Sequence, residues 1–168
     1  MRICHGYQLV EIFQNPQELG DVWKMSTSQV YAVLKRLEKQ DLIAGREIAS
    51  ADAPPRTEYA ITAAGLARLH EWLYATNPSP SIRRVRVEFI SKLYVAHLLD
   101  LPIDTIVAPQ VAACREQRHR LLDLQAKAES VTESLAIEFM IGQMDAALHW
   151  LEACGQQFQV NQEQSLKH

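Results

Sequence analysis

Ser26-Thr27-Ser28-Gln29-Val30-Tyr31-Ala32-Val33-Leu34-Lys35-Arg36-Leu37-Glu38-Lys39-Gln40 is the stretch on which the fold turns. Ser26 with Gln29 three residues later is a capping box: the serine hydroxyl accepts from the third residue's N–H while the glutamine reaches back to the serine N–H. Val30, Val33, Leu34 and Leu37 then recur at helical spacing, which predicts a helix to about Gln40 with one buried side. At 100° per residue, Ser28, Ala32, Lys35 and Lys39 fall within about 40° of one another on the opposite side, flanked by Gln29 and Arg36. That outward face is small and polar at its start and basic beyond.

Upstream, Cys4 to Gln14 reads as a helix with Tyr7, Val10 and Phe13 on one face. Asn15, Pro16 and Glu18 supply the N-cap, first-turn proline and acidic third position of a short second helix ending near Trp23. Downstream, Leu42 to Ile48 and Arg56 to Ile61 read as two strands joined by a polar, Pro-containing loop over 49–55. Thr57, Tyr59 and Ile61 alternate with Arg56, Glu58 and Ala60, as a half-buried strand requires. Thr62 caps a further helix to Tyr74 that carries Leu66, Leu69 and Leu73.

Helix, short helix, tight turn, helix and two-stranded wing is the order of a winged helix-turn-helix, which lays the helix after the turn in the DNA major groove. A helix of this length spans ~20 Å, against a groove ~12 Å wide. Small residues admit the helix to base edges, and cations neutralise phosphates. Each residue also has an ordinary reading. Lys35, Arg36 and Lys39 can be a solvated face, Gln29 can be held by its own capping box, Arg46 and Arg56 can be plain surface arginines, and Asp52 makes the wing loop acidic. Their arrival together, in this order, selects double-stranded DNA as partner. The alternative is an adaptor that uses the same fold for protein contact, for which an apolar rather than cationic face is expected.

Composition sets the bounds. The chain has 168 residues, 48% hydrophobic and 22% charged, with net charge −3, enough for one ordinary domain or two small ones. That charge excludes a generally basic coat, but Lys35, Arg36, Lys39, Arg46 and Arg56 crowd into one stretch, so distribution carries the signal. No apolar run approaches the ~20 residues of a membrane span, and the opening Met1-Arg2-Ile3-Cys4 has no signal-peptide core. Cys4, Cys114 and Cys154 are far apart and form no CxxC pair, which suits a reducing cytoplasm and no zinc or disulfide framework. No nucleophile elbow, P-loop, zincin or dinucleotide motif is present, so no enzyme, cofactor or metal is expected.

Residues 76–81 read as a Pro- and Ser-rich linker between a DNA-binding domain (1–75) and a helical dimerisation domain (82–158), with a disordered tail over 159–168. The helical half opens with a helix from about Ser81 to Leu99. Arg83, Arg84 and Arg86 at its start are either a solvated end or a second phosphate contact. A long helix to about Ser130 follows, with Pro109 as a kink or as its true first turn. Ser130 and Glu133 box the last helix, which ends near Gly155. Within it Ile137, Ile141, Met144, Leu148 and Leu151 form a heptad seam, widened by Leu135, Phe139, Met140, Ala147 and Trp150. So wide an apolar surface needs two neighbours. The seam is expected to face a second subunit, the alternative being burial within its own chain.

His5-Gly6-Tyr7, Trp23, Ser26, Val30-Tyr31, Leu34 to Glu38, Leu42-Ile43, Tyr59 and Thr62-Ala63-Ala64-Gly65 together resemble the PadR family of bacterial transcriptional regulators. The resemblance implies a mainly α protein: a winged helix with a C-terminal helical dimerisation module, similar in helix pattern to the longer and virulence-activator-like members. It implies a homodimer on palindromic promoter sites, in the first reading a repressor, although repression and activation use the same contacts. Carried onto this sequence, it places Tyr31, Lys35 and Arg56 on DNA and Tyr7 near the backbone. Some members respond to phenolic or other planar molecules; Trp72, Tyr74, Phe89, Tyr94 and Trp150 are the aromatic residues that would line a small aromatic effector site.

Overall fold

The computed structural model describes residues 4–15, 20, 22–48 and 56–165, with side chains as far as Gly155. Two compact units emerge, Met1–Trp72 and Leu73–His168. The elements are β1 (Cys4–His5), α1 (Gly6–Gln14), α2 (Thr27–Lys39), β2 (Ile43–Ile48), β3 (Arg56–Ile61), α3 (Ala63–Leu73), α4 (Ile82–Arg84), a π-helical turn (Val85–Phe89), α5 (Ile90–Leu98), α6 (Asp104–Gln125) and α7 (Val131–Ser165). The expected short second helix and the wing loop fall largely or wholly outside the described residues.

In the first unit the sheet has three strands, in the order β1-β3-β2, not the two expected. β1 pairs antiparallel with β3, Cys4 opposite Tyr59 and His5 opposite Glu58. Two residues are too few to show alternation, which is why sequence reading folded them into the first helix. β2 and β3 form the wing, from Ile43 opposite Ile61 to Ile48 opposite Arg56. Val30 and Leu34 of α2 are the buried apolar side chains among the described residues of this unit.

Close backbone approach does much of the rest. Thr62 N–H donates to the Leu42 carbonyl (3.1 Å), Thr62 Oγ1 donates to the Asp41 carbonyl (2.6 Å), and Gly65 N–H donates back to Thr62 Oγ1 (3.0 Å). A Cβ on Gly65 would stand 1.9 Å from the Leu42 oxygen, so only glycine lets α3 meet the backbone just before β2.

The second unit is built on α6 and α7, packed along each other. Ile106, Val107, Cys114 and Leu121 of α6, with Ile137, Met144, Leu148, Leu151 and Cys154 of α7, form its core, joined by Val85, Phe89, Leu93 and Ala96. Arg115–Glu152 (2.7 Å) and an Arg118–Asp145 bond tie the pair at its edge. Gln110, itself buried, donates from Nε2 to the Ser79 carbonyl (3.0 Å), fixing the Pro-rich segment onto α6.

Several expectations are corrected here. α6 starts at Asp104, so Pro109 sits inside it rather than in its first turn, and the helix ends at Gln125 instead of Ser130. α7 does not stop at Gly155 but runs to Ser165, through most of the presumed tail. A glycine ends a helix by taking positive φ, and no described glycine does so. Most consequentially, four members of the expected intersubunit seam, Ile137, Met144, Leu148 and Leu151, are buried within a single chain, with Ile141 half-buried beside them.

Candidate nucleic-acid interface

The helix read first in the sequence is formed as its chemistry dictates. Ser26 Oγ accepts from Gln29 N–H (3.3 Å), and Ser26 N–H donates to Gln29 Oε1 (2.8 Å), closing the capping box. Ser28 Oγ lies 3.0 Å from Ser26 Oγ. Gln29 therefore has one lone pair of its Oε1 engaged at the helix end and keeps both Nε2 donors. A side chain so placed can donate to a base edge, while its oxygen is oriented by the cap.

Ser28, Gln29, Tyr31, Ala32, Lys35, Arg36 and Lys39 are all exposed. Lys35, Arg36 and Lys39 meet no carboxylate within ion-pair distance among the described residues. The one acid within this cationic stretch, Glu38, is engaged elsewhere: its Oε1 accepts from Gly45 N–H (3.1 Å) and ties α2 to β2. A Cβ on Gly45 would stand 2.5 Å from that oxygen, so the glycine makes room for the tie. The outward face keeps its positive charge.

At the head of the sheet a second cluster gathers Tyr7, Tyr31 and Arg56 with two residues that sequence reading did not assign. The His5 and Tyr7 rings stack at 5.4 Å and 11°. The Arg56 guanidinium lies 5.8 Å from the centre of the Tyr7 ring, within cation–π reach. His5 Nε2 stands 3.8 Å from Glu58 Oε1, while His5 Nδ1 is buried without a partner among the described residues. Tyr31 packs on Gly6, where an added Cβ would stand 2.8 Å from the ring. Burial, and after it the Glu38 carboxylate, raises the Tyr59 phenol above its ordinary range. β1 made this cluster hard to foresee: Arg56 and Tyr7 are far apart in sequence, and the strand that joins them is two residues long.

In the helical unit, Trp150 meets Phe89 edge-on (5.8 Å, 81°) and walls an open apolar groove of about 400 Å³ with Ile82, Val85, Arg86, Ile90, Gln143, Ala146 and Ala147. Phe89 lies beneath it, buried; Tyr74 and Tyr94 do not line it, and Trp72 belongs to the other unit. Among the described residues no cluster of three or more His, Cys, Asp or Glu could hold a metal ion, and no helix is long and apolar enough to cross a membrane.

Residues 2–71 match the Transcriptional regulator PadR-like family. A curated relative, the "Negative transcriptional regulator PadR" of Bacillus subtilis (strain 168), is 28% identical over 130 residues, 77% of this chain and 68% of its own. Among solved structures, Bacillus subtilis PadR in complex with operator DNA is 23% identical, with a TM-score of 0.43 over 91% of this chain and 90% of that one. The protein smu.1604c of Streptococcus mutans UA159 is 21% identical, with a TM-score of 0.42 over 90% of each chain.

Proposed function

We propose that the chain, whose residues 2–71 match the Transcriptional regulator PadR-like family, is a PadR-like homodimeric repressor that binds an inverted-repeat promoter site. The observation that carries the DNA reading is the outward face of α2. It is small at its start, cationic along its length, and its one acid is committed to Gly45. Lys35, Arg36 and Lys39 neutralise phosphates, and Ser28, Gln29 and Tyr31 approach base edges or backbone. Arg56, steadied on Tyr7, adds a contact at the loop end of the wing strands. Repression is favoured by the relative's description as a negative regulator.

The dimer rests on a different side of α7 from the one expected. Val131, Leu135, Phe139, Gly142, Ala146 and Trp150 are exposed and recur at four- and three-residue intervals, opposite the buried seam. Phe139 is 67% and Leu135 60% exposed, and an added Cβ on Gly142 would meet nothing within 4 Å. A second copy laid on this stripe buries it, presents a small residue for close approach, and closes the groove beside Trp150 into a chamber where an aromatic effector would sit. Binding to an inverted repeat requires the pairing to set two copies of α2 about one DNA turn, ~34 Å, apart.

The test is a binding survey of genomic fragments with the full chain and its Lys35→Ala variant. The parent should prefer particular fragments over random DNA. The variant should bind all sequences more weakly, with the slope of log affinity against log salt shallower by about one. An unchanged slope removes α2 from the groove. No preference over random DNA leaves the adaptor reading in its place.

A further inference from the structure

Glu38 is out of place on the face that the DNA reading uses. It stands beside Lys39, one turn after Lys35, and a carboxylate there repels the phosphates that its neighbours attract. By charge alone, its removal should strengthen binding to any duplex. What Glu38 does instead is hold the wing. Its Oε1 accepts from Gly45 N–H (3.1 Å), an amide of β2, which is an edge strand in the order β1-β3-β2. The strand is shaped for that contact. A Cβ on Gly45 would stand 2.5 Å from the Glu38 oxygen and 3.2 Å from both the Tyr59 ring and the Thr57 methyl. Tyr59, opposite Gly45 across the strand pair, feels the same carboxylate: burial first, then Glu38 and then Tyr31 raise its phenol. Tyr31 and Glu38 are about two turns apart, so they leave α2 on one side, toward Tyr59.

We propose that Glu38 is a positioning residue for DNA recognition: it touches no DNA, and by holding Gly45 it keeps the wing strands, and Arg56 with them, in register with the outward face of α2. The proposal rests on the DNA reading above. β2 and β3 are paired from Ile43–Ile61 to Ile48–Arg56, so a tie at Gly45 steadies both strands. Arg56 lies three pairs beyond that tie, about 10 Å along the strand. A swing of about 10° at Gly45 displaces Arg56 by about 2 Å, more than a hydrogen bond tolerates. Bonds to an ionised acceptor are the stronger kind, which gives a reason to keep an acid where its charge is otherwise unhelpful.

The experiment measures binding of the full chain and its Glu38→Ala, Glu38→Gln and Lys35→Ala variants to a preferred fragment and to random duplex of equal length. Both Glu38 variants are also combined with Arg56→Ala. Glu38→Gln loses the charge but keeps an oxygen for Gly45 N–H, so it should bind both duplexes at least as tightly as the parent. Glu38→Ala loses both, and its preference for the chosen fragment over random duplex should fall about tenfold, the worth of one hydrogen bond to a charged group. On random duplex α2 has no fixed register and can shift to suit the wing, so the loss should be confined to the preferred fragment. Arg56→Ala should then weaken the glutamine variant on that fragment and add little to the alanine variant, because coupled positions are not additive. Alanine and glutamine variants that bind alike, or an Arg56→Ala loss equal in both, overturn the proposal, and weakened binding by Lys35→Ala leaves the DNA reading standing. A loss equal on both duplexes with a lowered thermal midpoint would mean that Glu38 only supports the fold, and overturns the proposal too. If Lys35→Ala is also without effect, the DNA reading falls with it.

Discussion

α2 and α7 each turn one apolar stripe inward, but they are held by different physics. α2 buries two side chains, Val30 and Leu34, and is fixed by contacts that depend on single atoms. These are the Ser26–Gln29 box, the Glu38–Gly45 tie, Tyr31 on Gly6, and the Leu42 carbonyl under Gly65. α7 buries a seam from Ile137 to Cys154 against its own chain and leaves a second apolar side outward. The first arrangement holds side chains outward without covering them, as the proposed DNA contact requires. The second supplies area, and has area to spare for a partner. A regulator needs both, because a recognition helix must stay exposed while something else stabilises the assembly.

The largest expected effect tests whether clearance governs the first unit. Gly65→Ala places a methyl against the Leu42 carbonyl, and that oxygen cannot move without losing Thr62 N–H. A cost of about 4 kcal/mol is expected, near the upper end for one substitution. Amide hydrogen exchange should show α2 and β3 losing protection while α6 and α7 keep theirs. Loss in both sets alike would make the contrast between the units wrong. Next comes the reciprocal change. Leu151 is fully buried, and Leu151→Ala should cost about 3 kcal/mol through lost transfer energy and a residual cavity, with protection falling first in α6 and α7. Phe139→Ala on the outer side should leave intrachain stability within ~0.5 kcal/mol and lower the sedimentation mass instead. Stability loss of Leu151 size there would mean that Phe139 packs within the protomer.

The same contrast explains what the sequence disclosed. α2 was legible because its start and its stripe are local: a cap three residues from its partner and four apolar positions within two turns. Its outward residues were legible as the complement of that stripe. The seam on α7 was equally plain, but periodicity says that a face is covered and not by whom; the covering turned out to be intrachain. Ile137, Met144, Leu148 and Leu151 are buried, and Val131, Leu135 and Phe139 are the exposed apolar residues on which the proposed dimer is placed. The His5–Tyr7–Arg56 stack escaped because its parts meet through a strand pairing of two residues. The π turn at Val85–Phe89 has no sequence signature of its own.

Helix endings were the least legible, and they offer the smallest and sharpest test. Glycine at 155 was read as a stop, yet α7 passes through it, while α2 and α5 end on aspartates in the left-handed region, Asp41 at φ 55° and Asp100 at φ 53°. At the end of α2, Leu42 N–H donates to the Leu37 carbonyl (3.0 Å) and Asp41 N–H to that of Glu38 (2.9 Å). After α5, Leu101 N–H donates to Ala96 (2.9 Å) and Asp100 N–H to His97 (3.3 Å). Both are Schellman closures, whose turning position favours glycine because a Cβ crowds the backbone there. Asp41→Gly removes that crowding and keeps the backbone bonds, but it also frees the unfolded chain at this position. The side-chain strain is the larger of the two, so the variant should gain about 0.5–1 kcal/mol, read as a raised thermal midpoint with unchanged DNA affinity. Asp41→Ala keeps the Cβ and should gain nothing. If alanine stabilised as much as glycine, loss of the carboxylate at the negative end of α2 would be the cause, and the first unit would owe less to backbone clearance than its other contacts imply.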